Sequence, residues 1–433
     1  MRAKLSAAKI SSDLNPDSTL LRLTRWALAV TAAAMPLYVI RWRIGPIPTT
    51  LLENLILVTI ALYFVTLFRE RGPRPHRTWL DIPIALFLVA GLIGIFIAPD
   101  HRGALGIYRA YLLEPVAMFY IGIAILGMVD AIELLLAALA VGAVVFSVIE
   151  IATFGYAVVT HTVDPGHTVA AFGINPNSVA IYFEPLIALA AGFALFGSGL
   201  HRRAAIATFA ILLPAELATL SRGGLLALAA LAFIGILTVR SPRLRIGLAA
   251  AAILGGFAVV KLPIIGPRVA HAIDPISGTF DNRGRIWTAS LRMLHNHPIF
   301  GAGINAYQTV MAPYRLVDSN LVPEPYPHNI FLTTWTETGL LGLAAFSWIL
   351  GALILMPWRR LSNAQGIYVP VLWGVGAAFV MILVHGLVDS PYWKNDLSLE
   401  FWLLAALEMV ALRALAQPVQ TTPATPAVPP RRS

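Results

Sequence analysis

The sequence contains no cysteine, which excludes disulfide bridges, thiolate nucleophiles and cysteine-ligated metal sites. Charge is also scarce: Asp, Glu, Lys and Arg make up 12% of 433 residues, against roughly a quarter in a soluble domain. So little charge cannot cover the surface of a water-soluble chain of this size. What is present is apolar, at 58% hydrophobic residues and a mean hydropathy of +0.75. Apolar runs of about 18 to 23 residues recur along the chain, each long enough to cross a hydrocarbon core of ~30 Å as a helix. A β-barrel would show short alternating segments instead. The chain therefore reads as an all-α polytopic membrane protein.

Spans are expected at Leu23–Ile40, Pro48–Phe68, Trp79–Ala98, Tyr111–Met128, Ile132–Val158, Ser178–Leu200, Ala204–Leu220, Gly224–Val239, Ile246–Leu262, Ile330–Met356, Tyr368–Val388 and Leu397–Leu415, about twelve crossings by length and hydropathy. The first run follows Arg22 and Arg25 without a small-residue cleavage site and reads as a retained helix. The basic residues that give the net charge of +9 cluster in short loops at Arg69–Arg77, Arg202–Arg203, Arg240–Arg245 and Arg359–Arg360. The positive-inside bias makes those loops and both termini cytoplasmic. The charge thus reports topology, and no nucleic-acid partner is expected. The chain divides into a cytoplasmic segment 1–22, spans over 23–262, a large periplasmic loop over 263–329, spans over 330–416 and a polar cytoplasmic tail 417–433, which lacks periodicity and is expected to be disordered.

The long loop stands apart from its short neighbours. An amphipathic helix is expected from Arg285 to His295, with Ile286, Trp287, Leu291 and Leu294 on one side, before a turn at Pro298 and Gly301–Gly303. This topology leaves Arg222, Arg268, Arg283, Arg285, Arg292 and Arg315 on the outer side, against the bias. Each is either a headgroup-snorkelling arginine or an anion ligand. Arg222 stands out, because Ser221-Arg222-Gly223-Gly224 joins two spans. Its guanidinium suits a phosphate or pyrophosphate, its glycines would let backbone approach such a group, and the following helix N-terminus favours negative charge.

Pro327-His328-Asn329 closes the loop. A histidine at a water-facing helix start can exchange a proton near neutral pH, or merely cap the helix. Glu337 lies too far round that helix to pair with it. His295 and His297 flank Asn296 without the carboxylates a catalytic metal site needs, so no metal is expected. Glu150, Glu184 and Glu216 fall inside apolar segments, where a carboxylate is functional or paired. Glu184-Pro185 follows Asn175-Pro176-Asn177-Ser178, a pattern for a kinked helix lining a cavity. The outer turn Asp389–Asp396 mixes aromatic and charged groups and reads as an aromatic belt or part of a sugar site.

In order and spacing, several of these pieces resemble the O-antigen ligase family of polytopic membrane glycosyltransferases. They are Ser221-Arg222-Gly223-Gly224-Leu225-Leu226, Gly284-Arg285-Ile286-Trp287, His297-Pro298-Ile299-Phe300-Gly301-Ala302-Gly303, His328-Asn329-Ile330-Phe331-Leu332 with Glu337-Thr338-Gly339, and His385-Gly386-Leu387-Val388-Asp389-Ser390. The resemblance implies transfer of a preassembled glycan from undecaprenyl pyrophosphate to a sugar hydroxyl of lipid A core, at the periplasmic face of the inner membrane, without cofactor or metal. It implies that Arg222 and Arg285 bind the pyrophosphate and that His328 acts on the acceptor hydroxyl or helps bind the donor. Arg283 competes with Arg285 for that place. Arg292, Asn329, Glu184 and Asp389 are expected among the substrate-binding residues. An O-antigen polymerase or a protein O-oligosaccharyltransferase would share the donor, and a secondary transporter would share the number of spans.

Overall fold

A computed structural model describes residues 18–45, 47–163, 170–261, 266, 279–315 and 324–416. Arg268, the chain before Ser18 and the chain after Ala416 lie outside them. Among the described residues the fold is all-α apart from one small hairpin. Helix α1 (Thr19–Ala33) starts at Ser18, whose hydroxyl accepts a hydrogen bond from Leu21 N, and passes into a 3-10 turn at Met35–Val39. Helix α2 (Leu51–Arg69) returns beside it. Two hydroxyl pairs, Thr24–Thr66 at 2.8 Å and Thr31–Thr59 at 2.9 Å, tie α1 to α2, the kind of polar link used between helices in lipid.

The chain continues through α3 (Asp81–Ile97), α4 (His101–Ile107), a π-helical turn at Tyr108–Leu113, α5 (Glu114–Ile125), α6 (Val129–Val159), α7 (Pro176–Phe196), α8 (Gly199–Ala218), α9 (Arg222–Thr238) and α10 (Pro242–Lys261). Two helices of the long loop follow, α11 (Thr279–Asn296) and α12 (Tyr307–Arg315), then α13 (Ile330–Arg360), α14 (Tyr368–Gly386) and α15 (Asn395–Ala416). Among the described residues five helices are long and apolar enough to cross a membrane: α2, α6, α7, α13 with its 3-10 extension to Asn363, and α14. The apolar α3 and α9 fall just short of that length. Where one span was expected over Tyr111–Met128, the π-helical turn divides the segment and leaves a shorter α5.

Helices α7 and α14 lie at the centre, with 83% and 78% of their most apolar windows buried, which is why residues on both can meet at a shared site. Gly192 and Gly374 allow the close approach: a Cβ at Gly192 would stand 3.0 Å from the Gly374 backbone. Small residues of this kind hold helices together where apolar burial gives no advantage over lipid.

Helix α11 begins earlier than Arg285 and buries Ile286, Ala289, Ser290, Met293 and Leu294, the stripe that helical spacing dictates. Leu291, expected on that side, falls off the stripe and is exposed. The segment after α11 does not merely lie on the surface. It inserts into a break in α13, where Gly339 adopts φ 70° and ψ −172°. Thr336 O accepts from Ala302 N at 2.7 Å, and Leu340 N donates to Ile299 O at 2.9 Å, so the groups freed by the break are satisfied by the loop. Glu337 accepts from Asn305 N at 2.6 Å. Ile304 N donates to Gly94 O on α3 at 3.2 Å.

Candidate active site

His328 precedes the capping residue of α13 and has φ 54°, a left-handed backbone that is costly for a residue with a side chain. Its neighbour fixes it there: Asn329 Oδ1 accepts from Phe331 N and Leu332 N, both at 3.0 Å, while Asn329 Nδ2 donates to Leu387 O at 3.0 Å. Asn329, expected at the substrate, is thus engaged at both ends of its amide. Trp287 of α11 donates from Nε1 to Pro327 O at 3.0 Å, bracing the chain just before the histidine.

The His328 imidazole lies between two carboxylates. Nδ1 is 2.9 Å from Asp389 Oδ1 and Nε2 is 3.1 Å from Glu324 Oε2. Asp389 is a hub: its Oδ2 accepts from Asn177 Nδ2 at 3.0 Å and lies 3.6 Å from Arg283 Nη2, and its Oδ1 also accepts from Ser390 N at 2.8 Å. Burial alone would raise the Asp389 pKa, but His328, Arg283 and His385 hold its carboxyl well below the usual range. Burial opposes charge on His328, yet Asp389 and Glu324 outweigh it and raise the imidazole pKa. The hydrogen bond from His328 lowers the Glu324 pKa against the effect of burial. The trio favours an imidazolium between two carboxylates, with the Asp389 side fixed by three hydrogen-bond donors and the Arg283 ion pair and the Glu324 side more open to water.

Between the two arginines flanking Gly284, Arg283 turns inward and is 12% exposed, whereas Arg285 is exposed. Arg292 is exposed on the same helix. Glu184 of α7 faces another histidine, His385 of α14, with Nδ1 and Oε1 2.5 Å apart and both side chains buried. Asp389 N donates to His385 O at 2.9 Å, so the two acid–histidine pairs share one turn.

The turn bearing Arg222 is built against this second pair. Leu220 takes φ 54°, Ser221 N donates to Thr219 Oγ1 at 3.1 Å, and Ser221 Oγ accepts from Gly224 N at 3.2 Å to start α9. A side chain at Gly223 would collide with His385 Nε2, and one at Gly224 with the buried Glu216 carboxylate. His385 and Glu216 thus give the two glycines a packing role in this turn. Glu150 is paired differently, accepting from Ala171 N at 2.7 Å. His295 and His297 are exposed, and among the described residues no group of three metal-ligating side chains forms.

The structure therefore brings together His328, Asp389 and Arg283 directly, and links Glu184 to them through His385. Arg222 joins at the turn packed on His385. Sequence reasoning missed Asn177 and the position of Glu324 on His328. The only signal for Asn177 was the Asn-Pro-Asn-Ser entry to α7.

Residues 207–347 match the family model described as O-Antigen ligase. No curated protein matches the chain. The matched segment includes Arg222, Arg283, Arg285, Arg292, His328 and Asn329, whereas Asn177, Glu184, His385 and Asp389 lie outside it.

Proposed function

We propose that the chain, whose residues 207–347 match the O-antigen ligase family model, is a membrane enzyme of the ligase and polymerase type that transfers a preassembled glycan from undecaprenyl pyrophosphate to a sugar hydroxyl of lipid A core. The observation that carries this reading is the His328–Asp389 pair with Arg283 on the same carboxylate. A histidine oriented by a buried carboxylate is suited to take a proton from a hydroxyl, and arginine beside it supplies charge for a phosphate leaving group. In this reading about twelve helices cross the inner membrane with both termini cytoplasmic, and the site opens to the periplasm.

In the proposed step, neutral His328 presents Nε2 to the acceptor hydroxyl after Glu324 swings off it. The acceptor oxygen attacks the anomeric carbon as its proton passes to Nε2. The bond from that carbon to the pyrophosphate oxygen breaks, and undecaprenyl pyrophosphate leaves with the electron pair. Arg222, with Arg283 or Arg285, balances its charge. Direct displacement inverts the anomeric centre. General-base help contributes about 10²- to 10⁴-fold.

The test is transfer by purified protein supplied only with undecaprenyl-pyrophosphate glycan and lipid A core in detergent. Glycosylated lipid A core supports a ligase. Elongated carrier-linked glycan assigns a polymerase, and no product of either kind overturns the transferase reading.

A further inference from the structure

The proposed chemistry leaves one built feature unused. Between α1 and α2 the chain forms an antiparallel hairpin, Arg41–Ile44 paired with Ile47–Thr50 through Arg41↔Thr50, Trp42↔Thr49, Arg43↔Pro48 and Ile44↔Ile47. All four residues of its first strand are exposed. Strand alternation places Arg41 and Arg43 on one face and Trp42 and Ile44 on the other. An isolated two-stranded hairpin is marginal in water, and this one carries an exposed tryptophan and isoleucine, at 38% and 59%. Such side chains suit the boundary between headgroups and acyl chains.

The hairpin lies at the His328 end of the bundle. Ser18 and Glu70 meet at the opposite ends of α1 and α2, and Tyr38, just before the hairpin, contacts Lys394 through its hydroxyl. The Lys394 ammonium lies 4.1 Å from the centre of the Tyr38 ring and the Arg41 guanidinium 5.9 Å from the same ring. Lys394 closes the turn that begins at Asp389, so the basic face of the hairpin is tied to the element that orients His328. Among the described residues Arg43 makes no ion pair.

We propose that this hairpin docks the phosphorylated headgroup of the lipid-borne acceptor, with Arg41 and Arg43 on phosphate oxygens and Trp42 and Ile44 in the lipid interface. The inference rests on the transferase reading. Guanidinium forks match phosphate oxygens, and two on one strand face suit a headgroup with more than one phosphate. The acceptor is the fitting occupant because Arg283 already stands beside Asp389 for the donor pyrophosphate, whereas the hairpin is a separate, exposed basic face joined to that turn through Tyr38 and Lys394.

The experiment measures initial rates for the full-length wild type and the Arg41→Gln/Arg43→Gln variant in detergent, at fixed donor. The acceptors are bis-phosphorylated lipid A core and the same molecule enzymatically dephosphorylated. The proposal expects KM for the phosphorylated acceptor to rise by at least about tenfold, because both charge-assisted contacts are lost. It expects kcat, donor KM and the rates with dephosphorylated acceptor to stay unchanged, and Arg41→Lys/Arg43→Lys to restore part of the affinity. An unchanged KM, an equal rise for both acceptors, or a rise in donor KM overturns it. If the wild type transfers to neither acceptor, the transferase reading fails separately. The hairpin is then judged by native mass spectrometry of the full chain with bis-phosphorylated and dephosphorylated lipid A: phosphate-dependent binding lost in the glutamine variant sustains phosphate recognition, and equal binding ends the proposal.

Discussion

His328 Nδ1 lies 2.9 Å from Asp389 Oδ1 across 61 residues of sequence. The pair joins the start of α13 to the turn after α14, and Asp389 is held by Asn177, Ser390 and Arg283 on its other sides. An acid so fixed selects which imidazole nitrogen is free to exchange a proton. Asp389→Asn should therefore lower kcat by about 10²-fold or more, with donor affinity changed far less. Steady-state transfer rates with a separate donor-binding measurement check this. Equal losses in both would make Asp389 a binding residue.

The pH profile follows from the two carboxylates on His328. A base must be neutral, so activity falls as pH drops through the folded imidazole pKa. That pKa is raised above the ordinary value, against burial, by Asp389 and Glu324. The acid limb should have its midpoint above about 6.5, and Glu324→Gln should move it to lower pH by removing one source of the rise. A midpoint that ignores the substitution contradicts the assignment.

Gly223 and His385 should be energetically coupled. Gly223→Ala forces a methyl against His385 Nε2 and should cost about 1–3 kcal/mol of stability, as overpacking does. The same substitution in a His385→Ala background should cost at least ~0.5 kcal/mol less, the signature of direct contact. Thermal unfolding of the four proteins in detergent provides the cycle, and strict additivity would show that the histidine does not press on the Arg222 turn.

Gly339→Ala tests the break in α13. The glycine has φ 70° and abuts Ile299 O, so alanine meets both strain and collision, a cost of about 1–3 kcal/mol from the backbone alone. Limited proteolysis should then cut near Ile299–Asn305 faster than in the wild type. An unchanged cleavage pattern would mean that the loop holds its place without the break.

Much of this was legible in the sequence, for reasons that differ by residue. The apolar runs announce membrane helices because lipid imposes length and composition. Arg222 stands out by its glycine-flanked turn on the outer side, against the charge bias, and His328 by its place at the water-facing start of a span. Arg283 and Arg285 could not be separated, since only the rotation of α11 against Asp389 distinguishes them. The packing role of Gly223 and Gly224 is hidden because close packing and ligand approach both call for glycine, and only the positions of His385 and Glu216 reveal the first. The hairpin escaped notice because four alternating residues between two apolar runs carry almost no periodic signal. The docking of Ile299–Asn305 into α13 was equally hidden, as the break at Gly339 leaves the surrounding helical pattern intact.

The most direct measurement is a paired assay on His328→Ala and Arg222→Ala, scoring glycan transfer and binding of undecaprenyl-pyrophosphate glycan on the same purified proteins. The predicted result is loss of transfer in both, with donor binding kept in His328→Ala and lost in Arg222→Ala. Full transfer by both variants would contradict the site proposed here.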